Sequence, residues 1–278
     1  MLNIFTLTFN GKHHLENLYP SIFPALKNIS YKFFIKDNGS IDNSIGYLES
    51  LENKNIIIHA TEHNKDNFSE GNNLLYDIAK PCDNDYILLL NNDIVLKDTT
   101  SIRNMIDILD KDKNVGIVGA KLNYVDKPTT IQHTGVVYPK NYGGYPFHYR
   151  SKQIETEQDR LNRIFQSVTG AVLLTRASVV KEVIAKTGYM LQPDYKWAFD
   201  DIDFCLNVRS LGYSIVNCGK TNILHSESAS LKINPFNHLF FNHNKRVFQD
   251  KWVRTKFVQS DLYLYESDKN YNLYKSPK

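Results

Sequence analysis

Apolar runs and helix-spaced apolar positions alternate through the first third of the chain. Leu2 to Phe9, Tyr31 to Lys36, Ile56 to His59 and Tyr86 to Leu90 are short stretches rich in β-branched or aromatic residues, which predicts four strands. Ile41, Ile45, Leu48 and Leu51 fall at helical spacing, as do Ile102, Met105, Ile106 and Leu109 after the fourth strand. Alternation of this kind predicts an α/β fold with a mostly parallel central sheet covered by helices on both faces. Ile87-Leu88-Leu89-Leu90 has no polar alternation, which places it at the buried centre of the sheet.

Each predicted strand ends in a polar or glycine-bearing cluster: Asn10-Gly11, Asp37-Asn38-Gly39-Ser40, Thr61 to Asn64, and Asn91-Asn92-Asp93. Ligands of open α/β sheets bind outside the carboxyl ends of the strands, so these four clusters are expected to converge on one site. From about Asp126 the pattern turns irregular, with Asn141 to Pro146 reading as a long loop of aromatics and turn formers. Order returns with a strand at Ala171 to Leu174, a helix from about Asp200 to Leu211, strands at Tyr213 to Val216 and Thr221 to Leu224, and a helix over Asn237 to Val253. The pattern divides the chain into residues 1–125, a half of strand–helix units, residues 126–254, and a tyrosine-bearing tail, 255–278, with no assigned role.

Composition adds exclusions. With 278 residues, 42% hydrophobic and 23% charged, the chain is an ordered globular protein large enough for a sizeable core. A net charge of +3, from 33 basic and 30 acidic residues without a basic run, gives no footprint for nucleic acid. Met1 to Phe9 lacks a basic leader and meets Asn10-Gly11 too soon for a signal core, and no window approaches the roughly 18 to 20 apolar residues of a membrane span. The expectation is a cytoplasmic protein, compatible with peripheral contact to a membrane-borne acceptor. Cys82, Cys205 and Cys218 are odd in number and unrelated in spacing, which suits neither a disulfide framework nor a zinc site. Asn28, Asn38 and Asn67 begin Asn-x-Ser tripeptides, which are common by chance.

Several residues suit chemistry. Asp93 directly follows a buried strand, where a carboxylate can hold a hard divalent cation, although Asn92 and Asp93 equally suit a turn. His225 ends another predicted strand and could join a carboxylate and diphosphate oxygens around such a cation, or be structural. Asp200, Asp201 and Asp203 open a helix, where free amides favour carboxylates; three in four positions exceed what a cap needs, so Asp200 is read as the cap and Asp201 as a general base. Trp197 could stack on a sugar or pack in the core, and Lys245 and Arg246 could face a diphosphate or solvent.

The ordered set Thr6 to Asn10, Asp37 to Ser40, Glu70 to Asn73, Leu88 to Asp93, Val168 to Ala171, Asp200 to Asp203 and His225-Ser226 resembles the family 2 inverting glycosyltransferases of the GT-A fold, in their rhamnosyltransferase-like branch. The resemblance covers roughly residues 1 to 254. It implies a Rossmann-like half binding a nucleotide sugar with a UDP or dTDP carrier, an acceptor-binding half with a C-terminal helix, and a Mn²⁺ or Mg²⁺ cofactor. Thr8 and Asn10 would contact the nucleotide, Asp37 would accept from the pyrimidine N3–H, and Asn64 and Asn72 would line the base and ribose pocket. Asn38, Gly71 and Asn92 are placed with them, and Gly170 would permit close approach near the sugar. Asp93 and His225 would hold the metal, and Asp201 would take the proton of an acceptor hydroxyl on a glycan, a lipid-linked sugar or a protein-linked sugar. Asn91 departs from the two-carboxylate Asp-x-Asp form of the family. Two other classes fit parts of the pattern: a sugar-phosphate nucleotidyltransferase, against which stands the lack of a glycine-rich basic loop after the first strand, and a sugar-nucleotide-binding module without turnover.

Overall fold

The computed structural model describes residues 1–63, 66–140, 145–196, 198–226 and 237–277, the side chains of residues 237–239 excepted. Asn64, Trp197, Glu227, Ser228 and residues 141–144 of the expected loop lie outside the described residues. In chain order the first half runs β1 (Leu2–Thr8), α1 (Lys12–Leu26), β2 (Tyr31–Asp37), α2 (Ser44–Ser50), β3 (Ile56–Ala60), α3 (Phe68–Ala79), β4 (Tyr86–Leu90), β5 (Ile94–Leu96), α4 (Ser101–Lys111) and β6 (Val115–Tyr124). The second half runs β7 (Ile131–His133), β8 (Val136–Val137), β9 (Phe147–His148), β10 (Arg163–Phe165), β11 (Val172–Arg176), α5 (Ala177–Thr187), α6 (Asp200–Ser210), β12 (Ser214–His225), α7 (Asn237–Phe248) and α8 (Leu262–Ser267).

One sheet joins both halves in the order β10-β12-β6-β11-β4-β1-β2-β3, with β5 on β12 and β7 on β6. β3, β2, β1 and β4 are mutually parallel, as the strand–helix alternation requires. β11 is antiparallel to both β4 and β6, and β6 then runs parallel to β12. The fold is therefore α/β with a mostly parallel centre. The continuous apolar run of β4 is explained by burial on both faces: Leu88 and Leu90 pack toward α1 and α4, Ile87 and Leu89 toward α3, α5 and α6. Each such side chain contributes about 1.5–3 kcal/mol of hydrophobic stabilisation.

Several elements go unpredicted by the pattern, each for a physical reason. α1 carries Pro20 and Pro24 in its interior, a strong signal against a helix, yet both rings face solvent while Leu15, Leu18, Tyr19, Ile22 and Leu26 form the buried stripe. β6 is buried along its whole length, but Gly116, Gly119, Lys121 and Asn123 interrupt its apolar run. Gly119 is small because a Cβ there would lie 2.6 Å from Val168, and Lys121 is tolerated because Glu155 pairs with it at 2.7 Å. The two predicted late strands are one, β12, bent by a register shift between Cys218 and Ile223. Asn67 starts α3 as its cap: its side chain accepts from the Glu70 amide at 2.9 Å while Glu70 accepts from the Asn67 amide at 3.0 Å.

The tail docks on the second half. Tyr265 stacks on Phe165 at 4.7 Å, and Asp261 accepts from the Tyr138 amide at 2.8 Å and from Gln166 at 2.7 Å. α7 continues as a π-helical turn, Gln249–Val253, tied to α6 by one buried carboxylate. Asp203 accepts from Trp252 Nε1 at 2.6 Å, Lys251 Nζ at 2.9 Å, Asn207 Nδ2 at 2.9 Å and the Tyr195 hydroxyl at 3.3 Å. Asp203→Ala would leave three buried donors without their shared acceptor, while the partly exposed Lys251 can turn to solvent, so it is expected to cost about 2–3 kcal/mol in urea denaturation. A loss below about 1 kcal/mol would show that the docking of α7 does not hang on this carboxylate.

Candidate active site

The carboxyl ends of β1, β2 and β4, the start of β11 and the end of β12 meet at one edge of the sheet. Pairing does this directly: Thr8 stands opposite Asp37, and the Asn38 amide donates to the Thr8 carbonyl at 2.9 Å. On the other side of β1, Asn92 Nδ2 donates to Thr8 Oγ1 at 3.0 Å. The Asn91 amide donates to the Ala171 carbonyl at 2.9 Å, which puts Gly170 at the same edge. His225 pairs with Ile94, and the Ser226 amide donates to the Asp93 carbonyl at 3.1 Å.

The β2 side forms a buried polar pocket. Asp37 Oδ1 accepts from the Gly39 and Ser40 amides at 3.0 and 2.8 Å, and its buried Oδ2 accepts no hydrogen bond from the described residues. A carboxylate oxygen left in this state is suited to an N–H of a ligand. Gly39 must be glycine, having φ +82° and a Cβ position 2.9 Å from the Glu62 backbone. Asn10, at φ 47°, ties the loops after β1 and β2 together, accepting from the Ile41 amide at 2.8 Å and donating its own amide to Ser40 Oγ at 2.8 Å. Lys36, which the sequence pattern did not single out, is buried beneath the pocket. Its ammonium donates to Asn38 Oδ1 at 2.9 Å and Thr61 Oγ1 at 2.8 Å and pairs with Asp66 at 3.1 Å, which clamps the loops after β2 and β3. The charge of Lys36 beside Asp37 was the available signal, since a lysine inside an apolar strand needs oxygen partners.

On α3, Asn72 donates to the Phe68 carbonyl at 2.8 Å and keeps a buried Oδ1 without a hydrogen bond from the described residues. Gly71 faces away from any ligand space: a Cβ there would lie 2.4 Å from Leu7, so it lets α3 press against β1.

Asp93 and His225 form the second cluster. His225 Nε2 lies 3.1 Å from Asp93 Oδ1, a buried oxygen that accepts no hydrogen bond from the described residues. Asn91 Nδ2 approaches the same ring nitrogen at 3.4 Å, so the amide that departs from the family's first carboxylate contacts the histidine. His14, on the first turn of α1, was not singled out by the pattern. Burial lowers its pKa, with His13 and His225 acting in the same direction and Asp93 opposing, and its Nε2 is buried without a hydrogen-bond partner among the described residues. Among the described residues no group of three His, Cys, Asp or Glu side chains is placed to hold a metal, so protein donors at this point number two, Asp93 and His225.

The acidic triplet opens α6 in three different settings. Asp201 Oδ2 accepts from the Gly170 amide at 2.7 Å, and Oδ1 accepts from the Ile202 amide at 2.8 Å. Gly170 carries no side chain because a Cβ would lie 3.0 Å from Asp201 Cβ and 3.3 Å from Phe68. Burial raises the Asp201 pKa, while these two amides and the charge of His148 oppose the rise. Asp200, deeper in, is pushed up to about 7 by burial and then by the charge of Asp201. The two titrate as a pair; Asp200 also accepts from the Asp201 amide, at 3.0 Å, but it lies deeper, so Asp201, with its shorter amide contacts, is the better carboxylate. Asp203 is taken up by the docking of α7. Lys245 lies over the Tyr145 ring at 5.2 Å.

The structure thus brings Thr8, Asn10, Asp37, Asn38, Asn92, Asp93, Gly170, Asp201 and His225 to one edge and turns Gly71 away from it. The sequence model of Glycosyl transferase family 2 matches residues 4–183. The O-antigen chain rhamnosyltransferase RfbN of Salmonella typhimurium is 25% identical over 224 residues, 78% of this chain and 64% of that protein. The chain spans less than two thirds of the length of the curated relatives it matches. The S. aureus protein TarS, residues 1–349, crystallised with UDP-GlcNAc, superposes with a TM-score of 0.57 at 13% identity, over 82% of this chain and 59% of that one. The mannosyltransferase PcManGT from Pyrobaculum calidifontis, in complex with GDP-Man and Mn²⁺, superposes with a TM-score of 0.58 at 12% identity, over 95% of this chain and 70% of that one. At such identities the likeness is one of fold, and that fold is GT-A. The family match runs from within β1 into α5, well more than half of the chain, and on that ground the chain belongs to glycosyl transferase family 2.

Proposed function

We propose that the chain moves one sugar, with inversion, from a pyrimidine nucleoside diphosphate donor to a hydroxyl of a glycan, lipid-linked or protein-linked acceptor. The observation that carries this reading is the meeting at one sheet edge of the Asp93–His225 pair, 3.1 Å apart, with Asp201, held through the Gly170 amide at 2.7 Å. Residues 1–125 supply the nucleotide side, residues 126–254 the acceptor side, and 255–278 brace the latter.

Asp37 Oδ2, buried and open to a donor, supports recognition of a base N–H such as N3–H of uracil or thymine. Asp93 Oδ1 and His225 Nε2 are a hard oxygen and an imidazole nitrogen facing each other, a donor set that fits Mn²⁺ or Mg²⁺. The Mn²⁺ of PcManGT supports the same choice. When bound, such a cation stabilises the charge that develops on the leaving diphosphate. Asp201 accepts the proton of the attacking hydroxyl, its ionised form favoured by two backbone amides. Asp200, deeper and shifted to about 7, holds the proton that the pair retains near neutrality. A single displacement with the base opposite the leaving group inverts the anomeric carbon. The similarity to a rhamnosyltransferase supports a glycan as acceptor. No described helix is long and apolar enough to cross a membrane, and a cytoplasmic setting is part of the proposal.

Three outcomes are expected. In a panel of UDP-hexoses, UDP-N-acetylhexosamines, dTDP-rhamnose and GDP-mannose with Mn²⁺, a pyrimidine member should raise the melting temperature, and Asp93→Ala should lose that rise; stabilisation by GDP-mannose alone would sink the pyrimidine assignment. Asp201→Asn should cut transfer by about a hundredfold or more while donor binding by calorimetry stays near wild type; an active Asn variant would remove Asp201 from the mechanism. Asp200→Asn removes a negative neighbour, so Asp201 should ionise at lower pH and the acid limb of kcat/KM should move down. Stability gives the matching sign: a carboxyl raised to about 7 weakens the fold as pH climbs from about 4 to 7, so Asp200→Asn should gain stability at pH 8 and little at pH 4.

A further inference from the structure

Two adjacent side chains of β7, neither used in the reaction described above, touch its two ends. His225 Nδ1 lies 2.6 Å from Gln132 Oε1, and Gln132 Nε2 donates to the His225 carbonyl at 3.4 Å. The second contact fixes the first, because turning the amide over would set its oxygen against that carbonyl oxygen. Gln132 Oε1 is therefore the acceptor, and His225 carries its proton on Nδ1. In the neutral ring Nε2, 3.1 Å from Asp93 Oδ1, is then the nitrogen available to a cation. A ring nitrogen that ligates a metal is commonly prepared in this way, by a carbonyl that holds the other nitrogen's proton.

The next residue acts on the base. His133 is fully buried, and its Nε2 accepts from the Thr169 amide at 3.3 Å. The following amide, that of Gly170, donates to Asp201 Oδ2 at 2.7 Å. Fixing the first N–H orients the backbone that carries the second. β7 is itself fastened, paired with β6 through Leu122 opposite His133 and bonded to the Gln153 carbonyl through the Ile131 amide at 2.8 Å.

We propose that β7 is a positioning strut for both halves of the site, Gln132 setting the tautomer and direction of His225 and His133 setting the backbone that holds Asp201. Both are positioning residues, and the assignment rests on the reading of His225 and Asp201 proposed above. The test uses the full chain, MnCl₂ with UDP as probe, and wild type and His225→Ala as controls. Gln132→Leu should weaken Mn²⁺ binding by calorimetry about 10- to 100-fold, and Gln132→Glu, which keeps an acceptor oxygen, should restore most of it. His133→Leu should leave Mn²⁺ and UDP binding unchanged but lower kcat and move the acid limb of the pH profile upward by about one unit, because Asp201 loses a well-aimed amide. Asp200 is untouched in that variant, whereas His148, whose charge also acts on Asp201, packs edge-on against the His133 ring at 4.8 Å, so His148→Gln is run beside it and should leave the shift on His133→Leu in place. His133→Gln, with an acceptor near the Nε2 position, should recover the wild-type limb, and His133→Met replaces the leucine variant if that one does not fold. Wild-type Mn²⁺ affinity in Gln132→Leu while His225→Ala loses binding would overturn the role of Gln132. An unshifted pH limb in His133→Leu, or a limb shifted as far in His133→Gln as in His133→Leu, would overturn that of His133. Mn²⁺ binding that is absent in wild type, or unchanged in His225→Ala, would instead overturn the reading of the cation pair and the role of Gln132 with it.

Discussion

The antiparallel pairing of β11 against β4 is the contact on which the arrangement turns. Val172 stands opposite Leu90, and the Asn91 amide continues the ladder to the Ala171 carbonyl at 2.9 Å. A parallel strand here would deliver its amino end to the far edge of the sheet. Because β11 runs the other way, its first residues arrive where β4 ends, and Gly170 reaches the edge carrying Asn92 and Asp93. The register is secured by burial on both faces, since a slip of one residue would exchange the sets packed under α1 and α4 for those packed under α3, α5 and α6. Hydrophobic packing far from any polar chemistry thus decides that Asp201 on α6 and the carboxylate after β4 come to one edge.

That dependence separates what the sequence shows from what it hides. The four leading strands and their polar ends are legible because uninterrupted runs such as Ile87 to Leu90 have one explanation, a strand covered on both sides, and because ligands gather at the carboxyl ends of such sheets. α1 is not legible, since Pro20 and Pro24 read as breaks unless their exposure is known. β6 is hidden by Lys121 and Asn123, whose partner Glu155 lies more than thirty residues away. Site residues follow the same division. Asp93, Asp201 and His225 stand at element ends, where type and position both speak. Gln132 and His133 lie in a stretch without periodicity, and their partners are 93 and 36 positions distant, so nothing local marks them.

Three carboxylates within four residues show how little a residue type decides by itself. Asp203 faces four donors and serves as an anchor. Asp200 has Ser69 Oγ at 3.4 Å as its side-chain donor and lies deep, conditions that favour the protonated form. Asp201 combines partial exposure with two backbone amides, which is the setting of a carboxylate able to stay ionised and still reach a ligand. The spread comes from the helix itself. Successive side chains point about 100° apart, so Asp200, Asp201 and Asp203 meet the core, the cleft and α7 in turn.

If Asp93 and His225 hold a cation as proposed, the departure at Asn91 bears on how that cation and the donor would depend on each other. A second carboxylate at this position would add negative charge to the cation pair and compete with diphosphate for coordination. Asn91 instead puts a neutral amide 3.4 Å from His225 Nε2, leaving Asp93 as the one carboxylate among the described protein donors of the pair. Two protein donors hold a hard divalent ion weakly, because such ions take about six oxygen or nitrogen ligands. The oxygens of the donor diphosphate would then complete the shell, and each ligand would raise the affinity for the other by the same factor. On the proposed reading, a site with this balance would hold its cation firmly only with the donor diphosphate present and would loosen its hold once the diphosphate left.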